Sequence, residues 1–104
     1  MGEKTTYHGI SLDSEEIREF CEANSIVKLS LFGSILTDRF RPDSDVDILI
    51  EFKPGRTPGF LTMASLEQAL SKMLGRTVDL RTPAELSRYF RDEVTTASEV
   101  QYAG

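Results

Sequence analysis

The chain has 104 residues, with 17 Asp and Glu against 12 Lys and Arg, for a net charge of −5. That length accommodates one modest core and predicts a single domain over residues 1–104. The acidic balance argues against non-specific binding to a DNA or RNA backbone, which relies on clustered cations, but not against binding one nucleotide whose charge metal ions neutralise.

The first twelve residues are polar and are expected to be loosely ordered. Met1-Gly2 with Thr6 matches the start of an N-myristoylation site, yet nothing else suggests an anchor. There is no apolar run of about 18 residues and no secretory signal, so a cytoplasmic protein with no membrane segment is expected. Asp13 and Glu16 stand three apart ahead of Ile17, Phe20 and Cys21, a capping-box-like start to an amphipathic helix that Asn24 can end. The single cysteine, Cys21, cannot form an internal disulfide and reads as a small buried hydrophobe on that stripe.

Val27, Leu29 and Leu31 then alternate with Lys28 and Ser30, a strand pattern. Gly33-Ser34 ends it, and Ser34 opens a short helix or turn through Phe40. Arg41-Pro42-Asp43-Ser44 is turn-rich and leads into a second strand, Asp45 to Phe52. Val46, Ile48, Ile50 and Phe52 form its apolar face; Asp45, Asp47, Leu49 and Glu51 form the other. Lys53 to Gly59 is a loop. Phe60 to Leu74 reads as a helix with Leu66, Leu70, Met73 and Leu74 on one face and Gly75 as its C-terminal cap. Thr77 to Arg81 is a short third strand. Thr82 caps a last helix, with Pro83 at its first position and Glu85 at its third. Its stripe takes Leu86, Tyr89 and Phe90, and it runs, broken or not, to about Ser98.

Asp45 and Asp47, two apart on a strand, project together beside the Gly-Ser turn. Carboxylates held that close repel each other, and a divalent cation relieves the repulsion. A glycine turn with free N–H groups beside a metal suits a nucleoside triphosphate. A calcium loop starting at Asp43 is excluded, because its sixth and twelfth places hold Ile48 and Pro54 instead of Gly and Glu. Asp43 is then a turn former, Glu51 faces solvent too far along the strand to be a ligand, and His8, the only histidine, is a tail residue. Arg39, Arg41, Lys53 and Arg56 flank the site in sequence and read as exposed surface charges.

Leu31-Phe32-Gly33-Ser34, ten intervening residues and Asp45-Val46-Asp47 together resemble the signature of the nucleotidyltransferase superfamily that includes DNA polymerase beta. From about Ser14 onward, the chain is similar to its minimal members, the MNT or MntA-like antitoxins, with Val78-Asp79-Leu80 and the tail Thr82 to Arg91 also fitting. The resemblance implies an α/β (α+β) nucleotidyltransferase fold, a small mixed sheet with helices packed on it. It implies Asp45, Asp47 and Asp79 as metal ligands and catalytic carboxylates, with two Mg2+ ions, ATP as substrate, and Asp79 on the acceptor side. Gly33 and Ser34 are the nucleotide-binding pair, glycine letting the backbone approach the phosphates and serine donating a hydroxyl and an N–H. One departure stands out: many minimal members carry a small, Arg/Gly-containing stretch after Gly-Ser, whereas here it reads Ile35-Leu36-Thr37-Asp38-Arg39-Phe40.

The function the resemblance implies is transfer of AMP from ATP to a hydroxyl, a tyrosine, of a HEPN-domain toxin, blocking its ribonuclease activity. Two alternatives stand beside it: a module that neutralises the toxin by binding alone, and an enzyme acting on a small molecule such as an aminoglycoside. The intact carboxylate set favours the enzyme, and the lack of a second domain disfavours the small molecule. No stable nucleic-acid binding is expected; a hetero-oligomer is compatible with this reading, and the sequence leaves the oligomeric state open. Val100 and Tyr102 are candidates for docking the partner if the tail is not packed.

Overall fold

Ile10 and Leu12, alternating with Ser11 and Asp13, turn the start of the chain toward the core. In the computed structural model, which describes residues 3–86 and 88–104, Lys4–Tyr7 (β1) and Ile10–Asp13 (β2) form an antiparallel hairpin. Its turn residues, His8 and Gly9, have φ of 50° and 81°, the positive values that a two-residue hairpin turn requires. Ile10 and Leu12 are buried. The loose order expected of the first twelve residues is thus corrected from Lys4 onward; Met1-Gly2, where the lipidation match begins, lies outside the described residues.

The Asp13 carboxylate caps helix α1 (Ser14–Ala23), accepting from the N–H groups of Glu15 (2.9 Å) and Glu16 (3.2 Å). Ile17 and Cys21, one turn apart, point into the core. Burial, with a smaller push from Glu22, raises the Cys21 thiol to about 12, so it packs as an inert small hydrophobe.

Four strands make the main sheet: β3 (Ile26–Phe32), β4 (Val46–Phe52), β5 (Val78–Arg81) and β6 (Glu99–Ala103), in the order β5-β4-β3-β6. β3 pairs antiparallel with β4 and β6, and β4 pairs parallel with β5. The parallel pair needs a crossover, supplied by α2 (Phe60–Leu74), which ends at Gly75 with φ 69°. One face of the sheet, through Leu29, Leu31, Val46, Ile48, Ile50, Val78 and Leu80, packs on α1, α2 and β2. The opposite face is left for chemistry.

Two N–H groups of the edge strand β5 are met by side chains rather than by another strand. Val78 N–H donates to Ser71 Oγ (3.0 Å) and Leu80 N–H to Glu67 Oε2 (2.9 Å), both acceptors from one face of α2. Glu67→Ala should therefore cost about 1–2 kcal/mol of stability in urea unfolding, while Glu67→Gln, which keeps an acceptor oxygen, should lose far less. Equal losses in the two variants would show that this hydrogen bond contributes nothing.

After β5 the expected last helix is divided. Pro83–Glu85 makes one 3₁₀ turn, with Thr82 N–H donating to Glu85 Oε1 (3.3 Å), and α3 (Arg88–Ala97) follows. Ser87, and the side chain of Tyr89 expected on the stripe, lie outside what the structure describes. The closing strand β6 is an addition to the sequence reading. Leu29 registers with Tyr102, whose ring packs against the core, whereas Val100 is 49% exposed. Of the two residues considered for docking, Tyr102 thus belongs to the fold. Tyr7 ties the hairpin to this strand by donating its hydroxyl to the Glu99 carboxylate. No helix among the described residues is long and apolar enough to cross a membrane.

Candidate active site

Strand register builds the site. The parallel pairing of β4 and β5 sets Asp47 directly beside Asp79, and the antiparallel pairing of β3 and β4 sets Phe32 directly across from Asp47. Registered residues share a sheet face, so Phe32, Asp47 and Asp79 lie together opposite the core face of Val46 and Ile48. Gly33 ends β3 with φ 79°. A Cβ at this position would lie 3.2 Å from Asp47 Cγ and overlap Oδ2. Glycine is thus demanded twice, by its backbone angle and by the carboxylate seated against it.

Burial first, then the charges of Asp79 and Asp45, push the Asp47 carboxyl up to about 6, with Arg81 opposing. Asp45 is exposed just ahead of β4. The turn that delivers it is pinned by Arg76, whose Nη2 donates to the carbonyls of Arg41 (3.1 Å) and Ser44 (2.6 Å). The same guanidinium lies 4.8 Å from the Phe40 ring centroid, and His8 stacks on that ring at 4.9 Å. His8 is therefore a packed turn residue rather than part of a loose tail. Asp79 is held by Arg81, whose Nε donates to Oδ1 at 3.0 Å.

Arg76 and Arg81 were missed by the sequence reading. Arg81 had a signal, since it stands two residues from Asp79 on one strand and so shares its face. Arg76 had only a weak one, a basic residue just past a helix-ending glycine.

Among the described residues, no three Asp, Glu, His or Cys side chains close into a metal cage of their own. The open pair of Asp47 and Asp79, with Asp45 at the rim, nevertheless fits magnesium. That ion keeps several waters and takes one or two carboxylates together with substrate phosphates. The destabilisation of charge at Asp47, by burial and then by its carboxylate neighbours, is what a bound cation would relieve.

Ser34 lies in a single 3₁₀ turn, Gly33–Leu36, rather than at the head of a long helix. What it can offer an anion is accordingly local N–H groups and a hydroxyl, with little macrodipole. The Ser34 carbonyl accepts from Thr37 N–H and Thr37 Oγ1, both at 2.9 Å, which closes the turn. The apolar residues of the stretch after it have a structural reason: Ile35 is buried, and Leu36 and Phe40 pack on the core.

The remaining candidates fall outside the constellation. Glu51 faces Lys28 at 3.9 Å. Asp43 sits in the exposed turn before Asp45. Arg39, Arg41, Lys53 and Arg56 are exposed, the last two following β4 at the end away from Asp45. Two cavities flank the carboxylates. One of about 510 Å³ lies along Asp79, Arg81 and Glu85, beneath Phe60 and Met63. The other, of about 300 Å³, lies between Phe32-Gly33 and α3.

A small mixed sheet that sets carboxylates from adjacent strands against a Gly-Ser turn defines a nucleotide-handling α/β domain. The chain belongs to the nucleotidyltransferase domain family, whose model matches residues 14–102. It is 36% identical over 63 residues to the protein adenylyltransferase MntA of Thermococcus cleftensis, covering 61% of this chain and 62% of that one. The match thus spans less than two thirds of that relative's length. A solved structure of a provisionally named minimal nucleotidyltransferase superimposes with a TM-score of 0.68 at 33% identity, over 82% of this chain and 85% of that one. One chain of a complex between a tri-AMPylated Shewanella oneidensis HEPN toxin and an MNT antitoxin superimposes with a TM-score of 0.64 at 22% identity, over 88% of this chain and 70% of that one, a likeness of fold. The family and the mixed-sheet nucleotidyltransferase fold expected from the sequence are borne out.

Proposed function

We propose that this chain is a magnesium-dependent adenylyltransferase that moves AMP from ATP to a tyrosine hydroxyl of a HEPN-domain toxin, and so serves as the antitoxin of the pair. The observation that carries this reading is the register of Asp47 beside Asp79, with Gly33 packed against the Asp47 carboxylate. Asp45 and Asp47 would hold the cation, with Asp79 joining on the acceptor side. When bound, magnesium neutralises the triphosphate and the charge developing on the attacking and leaving oxygens. Gly33 and Ser34 receive the phosphates through N–H groups and the serine hydroxyl.

The acceptor oxygen attacks the α-phosphorus in line. A new O–P bond forms as the bond from that phosphorus to the bridging oxygen breaks, and pyrophosphate leaves. Asp79 takes the hydroxyl proton, for which its carboxylate must exchange Arg81 for the acceptor. The relative in T. cleftensis is named a protein adenylyltransferase, and the superimposed complex contains an AMP-bearing HEPN toxin, which supports a protein acceptor. The net charge of −5 suits such a partner better than a nucleic acid.

The test is incubation with ATP, magnesium and the HEPN protein encoded beside it, followed by mapping of AMP adducts by mass spectrometry. An adduct on a toxin tyrosine that disappears with Asp45→Asn is expected. Inhibition of the toxin that persists undiminished in Asp45→Asn, with no adduct, would replace this reading with neutralisation by binding.

A further inference from the structure

Helix α3 presents Phe90, Glu93, Val94 and Ala97 at the i, i+3, i+4, i+7 spacing of a stripe that normally closes onto a core. Here it does not close. Between the stripe and Phe32-Gly33 remains a cavity of about 300 Å³, and Phe90 is 60% exposed at its wall. Protein interiors are close-packed, so a gap of this size between two aromatic residues is a place for something to enter.

Gly33 says what enters. It is a wall of this cavity and also the turn assigned to the phosphates, so a nucleotide anchored there has its other end within reach of the gap. A nucleobase is flat, apolar on both faces and small enough for the space. Phe32 and Phe90 offer rings for stacking. Glu93, the one charged residue lining the gap among the described residues, offers an acceptor to an exocyclic amine. The larger cavity beside Asp79 is lined by Glu67, Arg81 and Glu85, a charged setting that suits an acceptor better than a base.

We propose that the gap between Phe32-Gly33 and the Phe90-Val94-Ala97 face of α3 receives the adenine of bound ATP. This rests on the nucleotidyltransferase reading and adds where the base lies, through residues outside the signature motif.

The test is calorimetric titration of the full chain with magnesium–ATP and, separately, with magnesium–tripolyphosphate, which has no base. The wild-type chain should bind ATP about tenfold to a hundredfold more tightly, the range expected for stacking one base. Ala97→Phe fills the gap from its wall. It should bring ATP affinity down to that of tripolyphosphate and leave tripolyphosphate affinity unchanged. Unchanged ATP affinity in Ala97→Phe overturns the base site alone.

A second measurement needs no variant. Photolysis of the wild-type chain with magnesium and 8-azido-ATP should label residues 88–97. Labelling confined to other segments overturns the proposal even if Ala97→Phe perturbs the turn. Failure of the wild-type chain to bind either ligand overturns the nucleotidyltransferase reading, and the base site with it.

Discussion

Asp47→Asn is expected to abolish nucleotidyl transfer and, in the same molecule, to stabilise the metal-free protein above pH 6. The carboxyl at position 47 is raised from its ordinary value near 3.8 to about 6, chiefly by burial and then by Asp79 and Asp45. The folded state therefore binds this proton more tightly than the unfolded chain does. The resulting stability is present in full below about pH 4 and is lost as the pH rises through about 6. Above that the protein folds around an unfavourable charge. Asparagine has nearly the same shape and does not titrate. In chelator-treated buffer the variant should match wild type near pH 4 and exceed it by about 1–2 kcal/mol at pH 7.5, a value discounted for a half-buried group. Several degrees in Tm would follow for a domain of this size. Added magnesium should narrow the gap by stabilising wild type alone, while turnover falls by about 10³-fold or more in the variant. A variant less stable than wild type at pH 7.5 would mean that Asp47 is a structural carboxylate.

The carboxylates were legible in the sequence because their signal is local. Asp45-x-Asp47 fixes a face by the two-residue period of a strand, and Gly33-Ser34 fixes a turn at a set distance. Asp79 could be assigned by resemblance, but that it lies in register with Asp47 is a fact of pairing between strands separated by a 15-residue helix, α2. The ion pair to Arg81 and the Arg76 clamp on the Asp45 turn are long-range or side-chain facts of the same kind.

The elements missed are the short ones. The hairpin at Lys4–Asp13 and the strand Glu99–Ala103 have four or five residues per strand, too few to show a period above the noise of composition. Both gain order from what they touch: Ile10 and Leu12 from the core, and β6 from the free edge of β3. The last helix was expected to run, broken or not, to about Ser98, and what the sequence left open was where the break falls. Thr82 and Glu85 do pair as a cap, and the cap serves one 3₁₀ turn before the chain starts again at Arg88.

Gly33→Val should lower affinity for magnesium–ATP by about 10²-fold or more, and the reason separates into two parts that a control can isolate. The first part is the backbone. With φ at 79°, position 33 is in the left-handed region, where a β-branched side chain is strained by roughly 1–3 kcal/mol. The second is the new Cβ, which would overlap the Asp47 carboxylate. Asp47 has little room to retreat, because β4 is paired on both sides and its neighbours Val46 and Ile48 are buried. Either the carboxylate or the turn must move, and each movement separates the N–H groups proposed to bind phosphate from the oxygen proposed to bind the metal. Gly55 supplies the comparison. It has nearly the same φ, 74°, but a Cβ there meets nothing within 4 Å. Gly55→Val should therefore pay the backbone strain alone, losing stability with ATP affinity kept. Gly33→Val should lose more stability and the affinity as well. In an Asp47→Ala background the collision is gone, and the extra stability cost of Gly33→Val should shrink toward that of Gly55→Val. Equal costs of Gly33→Val in the two backgrounds, measured by urea unfolding, would show that the glycine is required by the turn alone and not by the carboxylate beside it.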